Sequence, residues 1–407
     1  NNEVRAYGLF KRCAKPQLKF FTGIERPDRR TVYWVPAIGY NAHDGFMGGI
    51  ALYNTVFPSH PCEWVIAPLY GFESDRMNPN FRADIHFNRI PYFKRPLPWS
   101  WMSGLSAGYS MWQAALTSDE DLQQWYSKRT FNFKYDFFSL PDPDLPTFSI
   151  LGRSISVRER AEGQVQDDDV NDTLTYGYVA TSVNVRQRNG LNPYEIDLQA
   201  LRGSAETEYA FYRVALEAKW SHIYDRKKHR ISLRLFTGTF FHTNNQLMES
   251  RMAWRYHLGA SDLLYDHLFI DRQPLGVLSN QQITKDQGGF KTPNSYGSSD
   301  TWIGALNMEL DAPFMIPLSF FASAGAAPVT TVTQNGRSTS TEFQFEGGIG
   351  IRLIRDIAEI WVPLFASEDI NDQLGPTGLD LDFLERIRIV IALEKLDPTR
   401  ALRKLAP

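Results

Sequence analysis

The feature that most constrains this chain is a two-residue alternation of apolar and polar side chains that recurs from end to end. From Thr130, the side chains of Phe131, Phe133, Tyr135 and Phe137 fall on one side, and Thr130, Asn132, Lys134 and Asp136 on the other. From Phe81, the set Phe81, Ala83, Ile85 and Phe87 opposes Arg82, Asp84, His86 and Asn88. Near the end, Ile387, Ile389, Ile391 and Leu393 oppose Arg386, Arg388 and Glu394. A period of two is the signature of a β-strand, whose successive side chains point to opposite faces. Here the apolar faces are long and aromatic, and the polar faces carry both charge signs. The run Tyr212, Val214, Leu216, Ala218, Trp220 against Arg213, Glu217, Lys219 is longer than strands of soluble sheets usually are. The expectation is an all-β chain forming a transmembrane antiparallel β-barrel of about sixteen strands. The competing reading is a large soluble pair of sandwiches.

Composition narrows the function classes. A net charge of -3 over 407 residues supplies no basic field to capture phosphates, which excludes nucleic acid as a partner. Mean hydropathy is negative, as the polar interior and loops of a barrel allow. A spanning helix needs about 18 unbroken apolar residues. The best candidate, residues 314–329, is interrupted by Pro317, Ser319, Ser323, Gly325 and Pro328 and reads as a strand with turns. Cys13 and Cys62 have no CxxC partner or metal spacing, so a disulfide between them is left open. No secretory leader begins at Asn1, and the expectation is that an upstream part precedes it. The predicted organisation is a periplasmic lead-in over 1–30, a barrel over 31–396 and a periplasmic tail over 397–407, with a long outer loop over 242–300.

Loop lengths give the orientation. Outer-membrane barrels alternate short periplasmic turns with longer outer loops. The short class contains FPSHP, NGLNP, DRKK and the Arg355–Asp356 pair; the long class contains residues 161–172, 242–300, 328–340 and 366–384. This parity places both termini in the periplasm. Trp99, Trp101, Phe138, Trp220 and Tyr224 lie beside the short turns, where an interfacial aromatic girdle belongs. Within 242–300, Leu247, Met252, Trp254, Leu258 and Leu263 have helical spacing, so this loop is expected to be partly helical and to fold toward the lumen.

No catalytic motif emerges. The eight histidines form no HExxH pair, and no GxSxG occurs. Neither catalysis by this chain nor a cofactor is expected. Gly347, Gly348 and Gly350 read as bends or points of close approach within a strand. The acidic run Asp167, Asp168, Asp169, Asn171, Asp172 lacks the Gly and distal Glu of a helix-loop-helix calcium site and reads as a solvated turn. The expected lumen-facing charges are Lys134, Asp136, Glu195, Asp197, Arg213, Glu217, Lys219, Arg230, Arg234, Glu309, Glu346, Arg352, Arg386 and Arg388. They either line a selective pore or cross-link a plugged interior, and their mixed signs favour the plug.

The text KPQLKFFTGIERPDRRTVYWVPAIGYNAHDGFMGGIALYNTVFP, followed by EWVIAPLYGF, resembles the start of the barrel at the carboxyl end of bacterial outer-membrane gluzincin, aminopeptidase-like metallopeptidases. That resemblance implies a peptidase domain upstream, in the periplasm. The architecture is also similar to the surface-antigen and barrel-assembly superfamily, whose sixteen-stranded members carry a long loop that enters the lumen between strands eleven and twelve. The superfamily's loop arginine falls near Arg272 in IDRQPLG, while the strand Asp of its F-x-D-x-G motif is replaced by Ser323. The resulting expectation is a non-catalytic bacterial outer-membrane barrel that anchors a metallopeptidase-like domain or joins an outer-membrane protein complex. The alternative is a pore or a protein translocation and assembly barrel. The partners implied are outer-membrane lipid and proteins of the outer membrane or periplasm.

Overall fold

A computed structural model describes residues 16–21, 23, 30–54, 60–87, 102–118, 122–137, 145–165, 168–188, 190–205, 209–243, 252–260, 262–272, 281–294, 298–313, 316–333, 336–375 and 381–395. Among these residues nineteen strands carry the fold, and no helix is long and apolar enough to cross a membrane. The chain divides into two compact units: residues 1–139, 158–173 and 397–407 form one, residues 140–157 and 174–396 the other.

The first unit contains β1 (Gln17–Phe20), β2 (Thr31–Asn41), β3 (Gly45–Tyr53), β4 (Cys62–Ile66), β5 (Leu69–Gly71), β6 (Arg76–Asn78), β7 (Phe81–His86), β8 (Met102–Ser118) and β9 (Leu122–Phe137). The β1 and β2 strands pair in parallel, with Gln17 opposite Thr31; the others pair antiparallel. The GYN and ALYN texts are explained by their asparagines. The Asn41 side-chain carbonyl accepts the backbone N–H groups of His43 (2.9 Å) and Asp44 (2.5 Å), an Asx-type turn joining β2 to β3. Asp44, 0% exposed, is satisfied by Asn41 Nδ2 (2.6 Å), the Ser74 hydroxyl (2.6 Å) and the Ala115 N–H (3.1 Å). The Asn54 amide accepts Trp64 N–H and donates to the Cys62 carbonyl, both at 2.8 Å, fixing the entry to β4. Cys62 is an exposed free thiol.

Long strands build the second unit, though the first two of them also run through residues 158–173 of the first. After β10 (Thr147–Val165) and β11 (Asp168–Gln187) come β12 (Tyr194–Ala205), β13 (Tyr209–Ile223), β14 (Arg230–His242), β15 (Trp302–Asp311), β16 (Leu318–Thr333), β17 (Gly336–Ile354), β18 (Ala358–Ala366) and β19 (Arg388–Ile391). From β11 to β19 each pairs antiparallel with the next. One short helix, α1 (Glu368–Leu374), follows β18 and buries Ile370 and Leu374.

The sequence alternation maps directly onto the two faces of this sheet, and their chemistry is the reverse of a soluble protein's. One face is covered and holds Arg213, Asn307, Ser319, Ser323, Glu346, Arg352, Glu359 and Arg388, all buried. The other is open and holds Leu235, Leu306 (50% exposed), Met308, Phe320, Phe343 (66%), Phe345 and Leu353. A soluble sheet buries its apolar face because water rejects it. A sheet that leaves this face open along its length is built for hydrocarbon, where every backbone N–H and C=O is already paired in the ladder.

Several expectations need correction. The apolar text EWVIAPLYGF reads as one strand but is split into β4 and β5, and β5 turns back against β6 to form a small hairpin between β4 and β7. With β1, this accounts for nineteen strands against about sixteen. Residues 161–172 and 328–340 are mostly strand rather than long loops: β10 and β11 extend to Val165 and Asp168, and β16 meets β17 at the pair Thr333 and Gly336. Of the acidic run, Asp168, Asp169, Asn171 and Asp172 therefore lie in β11, not in a turn; Asp167 lies outside the described residues. The alternation over 386–394 yields a strand of only four residues, flanked by single 3-10 turns at Leu384–Arg386 and Leu393–Lys395. Trp220 and Tyr224 are exposed beside short turns. Trp99, Trp101, Phe138, Cys13, Leu247 and the tail from 397 lie outside the described residues, as does most of the lead-in.

Replacing Leu306 by Arg tests the open face. In lipid vesicles the variant is expected to lose about 2–4 kcal/mol of stability, the cost of a cation on a lipid-facing strand near mid-bilayer. Urea unfolding of the two proteins measures this. A change within about 0.5 kcal/mol, normal for a wetted surface position, contradicts the assignment.

Candidate functional site

The covered face of the second unit is covered by its own chain. Residues 252–294 fold against it without helix among the described residues, correcting the helical spacing. The segment is extended and stitched by isolated bridges. Trp254 and Ser299 exchange backbone hydrogen bonds of 2.8 and 3.0 Å, and Phe290 and Thr284 donate to Tyr256 and Leu258 at 2.9 and 3.0 Å. Ile283 donates to Ile389 of β19 (2.9 Å), and Ile389 donates back to Gln281 (2.8 Å). What fixes the path is side-chain fit. A Cβ at Gly238 of β14 would come within 2.7 Å of the Trp254 ring, and one at Gly325 of β16 within 2.4 Å of Tyr256. Tyr256 in turn stacks on Phe290 with ring centroids 4.6 Å apart. Gly350, expected as a bend or close approach, makes room for Trp361 of the neighbouring strand β18. Each of these fully buried rings contributes about 1.5–3 kcal/mol by leaving water.

Charge pairs complete the seal, and most expected lumen-facing residues take part. Glu309 of β15 sits 2.5 Å from Arg352 of β17, 3.4 Å from Lys291 and 3.9 Å from Lys285 of the segment. Lys285 also reaches Asp356 (2.7 Å) and Glu359 (2.9 Å). Burial opposes the charge of Lys285, but the carboxylates of Glu309, Asp356 and Glu359 outweigh it and raise its pKa above the ordinary value. Glu346 accepts the backbone N–H groups of Lys291 (2.7 Å) and Thr292 (2.6 Å). The Lys291 ammonium lies 4.5 and 4.7 Å from the ring centres of Phe321 and Trp361. Arg213 donates to the Met252 carbonyl (3.1 Å) and lies over Trp254. Glu217 binds Arg234 (2.5 Å) and Lys219 (2.9 Å).

The remaining expected residues sit more modestly. Arg388 donates to the Glu385 carbonyl (2.8 Å) and Arg386 to the Leu381 carbonyl (3.0 Å). Glu195 pairs with Arg186 at 3.5 Å, and Asp197 accepts from Asn184 at 3.4 Å. The Arg230 N–H donates to Asp311 (3.1 Å). In the first unit Lys134 and Asp136 pair at 2.8 Å, both well exposed. Arg272 is buried inside the segment, bonded to Asp262 (2.5 Å) and the His267 carbonyl (2.6 Å) and lying over Tyr265. Ser323, at the strand position where the superfamily has Asp, is 3% exposed and its hydroxyl has no hydrogen-bond partner among the described residues.

Sequence reasoning missed Asp311, Glu359, Lys285, Lys291, His267 and Asp286. Strand parity could have found Asp311, two residues beyond Glu309, and Glu359, two before Trp361. No periodic signal marks the four residues in the irregular segment.

His267 latches the segment to the end of β19. Its Nε2 meets Asp286 (2.5 Å) and its Nδ1 meets Glu394 (3.1 Å). Burial works against its charge, but the two carboxylates prevail and raise its pKa to about 10. The buried His257 behaves oppositely: burial, aided by the Arg388 charge, pushes it down to about 3 and keeps it neutral.

Between the segment and the sheet lies a cavity of about 900 Å³, at the end where the β11–β12, β13–β14 and β17–β18 turns meet; its lining includes Gly190, Lys228 and Arg355. A second space, of about 230 Å³, lies under Trp254 and Leu263. Among the described residues no group of three His, Cys or carboxylate side chains is placed to hold a metal.

No protein-family model matches the chain, and neither does any curated protein. The resemblance to peptidase-linked barrels therefore stands on strand text alone. Among solved structures, CdiB from Acinetobacter baumannii is similar at 12% identity and a TM-score of 0.38, covering 83% of this chain and 56% of that one. CdiB from Escherichia coli is similar at 11% and 0.39, covering 84% and 63%. BamA from Haemophilus ducreyi lacking POTRA domains 1-3 is similar at 10% and 0.40, covering 83% and 67%. The chain spans less than two thirds of either CdiB structure. Likeness at these values carries no functional argument, and the chain's own geometry has to supply one.

The His267 latch gives a pH dependence of known sign. Its pKa is raised from 6.5 to about 10, so the stabilisation is complete below pH 6.5 and is lost as pH rises through about 10. Urea midpoints of the wild type are expected to fall across that window, and those of His267→Asn to fall less. Equal slopes for the two proteins contradict the latch.

Proposed function

We propose that this chain is a bacterial outer-membrane β-barrel closed by its own segment 252–294, working in protein translocation or assembly rather than as a standing pore or a passive anchor. The short-turn end, with its 900 Å³ cavity, faces the periplasm in this reading. The observation that carries the proposal is the chemistry of the seal. A passive anchor is served by a greasy, permanently packed interior. Here ion pairs and backbone hydrogen bonds hold the segment beside the buried rings of Trp254, Tyr256 and Phe290: Lys285 to three carboxylates, Lys291 to Glu309, and the Lys291 and Thr292 N–H groups to Glu346. Groups of this kind are rehydrated when a polar lumen opens, so this part of the hold is released at modest cost. Apolar plugging offers no such compensation. The exposed apolar face supports placement in lipid, and the polar strand ends support a sealed but releasable interior.

Planar-bilayer recording tests this. Wild-type protein is expected to be mostly closed. Lys285→Gln leaves Glu309, Asp356 and Glu359 short of a cation, a defect of about 3 kcal/mol in a buried pair, and open probability is expected to rise more than a hundredfold. A wild type that conducts steadily contradicts the seal. A variant as silent as the wild type contradicts the releasable segment and leaves the anchor reading standing.

A further inference from the structure

The larger cavity has an imbalance of charge that the seal does not use. Around it, Glu195, Glu217, Asp286, Glu309, Asp356 and Glu359 are each engaged by a cation already described, and Asp311 by Arg355. Its wall also carries Lys228, Arg230 and Lys395, which make no carboxylate pair within 4.0 Å among the described residues, and Lys219, whose side chain is 49% exposed beside Glu217. Among the described residues Lys395 donates to the Asp356 backbone carbonyl, and the Nε of Arg230 meets no hydrogen-bond partner. A concave wall with surplus positive charge and low-dielectric sides focuses its field on the space it encloses.

We infer that this cavity binds an acidic, extended peptide segment, an inference that rests on the translocation reading above. Three observations choose that ligand. The surplus cations run from Lys219 on β13 to Lys395, whose ammonium meets the Asp356 carbonyl after β17, four strand spacings or roughly 19 Å of sheet, so a small anion touches one or two of them and only an extended polyanion touches the row. The cavity lies on the covered face, opposite the apolar side chains, where a lipid headgroup does not reach. The wall offers polar and charged contacts, with Ile223 beside them for the stem of a peptide side chain. Steering by such a field speeds encounter and weakens with salt.

Fluorescence anisotropy on the detergent-solubilised full chain tests the inference, with fluorescein-labelled octaglutamate as probe and labelled octalysine as control. Octaglutamate is expected to bind, octalysine not, and affinity to fall about tenfold between about 50 and about 200 mM salt. The combined variant Lys219→Gln, Lys228→Gln, Arg230→Gln is expected to lose at least about tenfold in affinity while keeping wild-type near-ultraviolet circular dichroism. Lys228→Gln alone, at an exposed turn position, is expected to lose about two- to threefold and guards against misfolding of the combined variant. Unlabelled citrate is expected to compete only at concentrations about a hundredfold above those of octaglutamate. Equal binding of the two peptides, undiminished binding by the folded variants, or citrate competing as well as the peptide each overturns it. Conductance from the same preparation separates the two claims: a closed wild type that fails to bind octaglutamate overturns the peptide site alone, whereas a steadily open wild type overturns the seal.

Discussion

The structure of the larger unit turns on Glu309. Its carboxylate holds Arg352 of the sheet at 2.5 Å and draws Lys291 and Lys285 of the inserted segment to 3.4 and 3.9 Å. A charge on a covered face is tolerated only when it is paired and hydrogen-bonded, because removing it from water otherwise costs several kcal/mol. Once the covered face is committed to such pairs, the period of two sends the alternate side chains, Leu306, Met308 and Phe320 among them, to the other side. The sheet then has no protein core on its greasy face, and lipid is the solvent that satisfies it.

This division also explains why so much of the fold was legible. Strands that cross hydrocarbon must alternate strictly, and the run from Tyr212 to Trp220 read from the sequence lies wholly within β13. Above the bilayer neither face is required to be apolar, so the alternation disappears although the ladder continues. The acidic residues 168–172 of β11 and the Thr- and Ser-rich arms of β16 and β17 therefore look like loop text while forming strand. The β5–β6 hairpin is too short to show a period at all.

The site was legible by halves, for a related reason. Charges on strands could be assigned to the covered face by parity, and Arg213, Glu217, Lys219, Arg234, Glu309, Glu346 and Arg352 all contribute to its network. The segment that meets them obeys no period, because each residue is selected by one local fit: Trp254 against Gly238, Tyr256 against Gly325, Lys285 among three carboxylates. Its apolar spacing mimicked a helix, yet among the described residues Trp254 seats against Gly238 and the Leu258 carbonyl is bridged to Thr284 in extended chain. Arg272 likewise pairs with Asp262 within the segment rather than with a strand.

The central claim is that the open face contacts lipid and the covered face does not. Single-tryptophan variants retaining Trp302 on the open face or Trp361 on the covered face, reconstituted with brominated lipids, measure it most directly. Trp302 is 37% exposed and Trp361 is 0% exposed. The account expects strong bromolipid quenching of Trp302 and none of Trp361. Quenching of Trp302 by aqueous iodide instead of bromolipid, or equal bromolipid quenching of both, would contradict it.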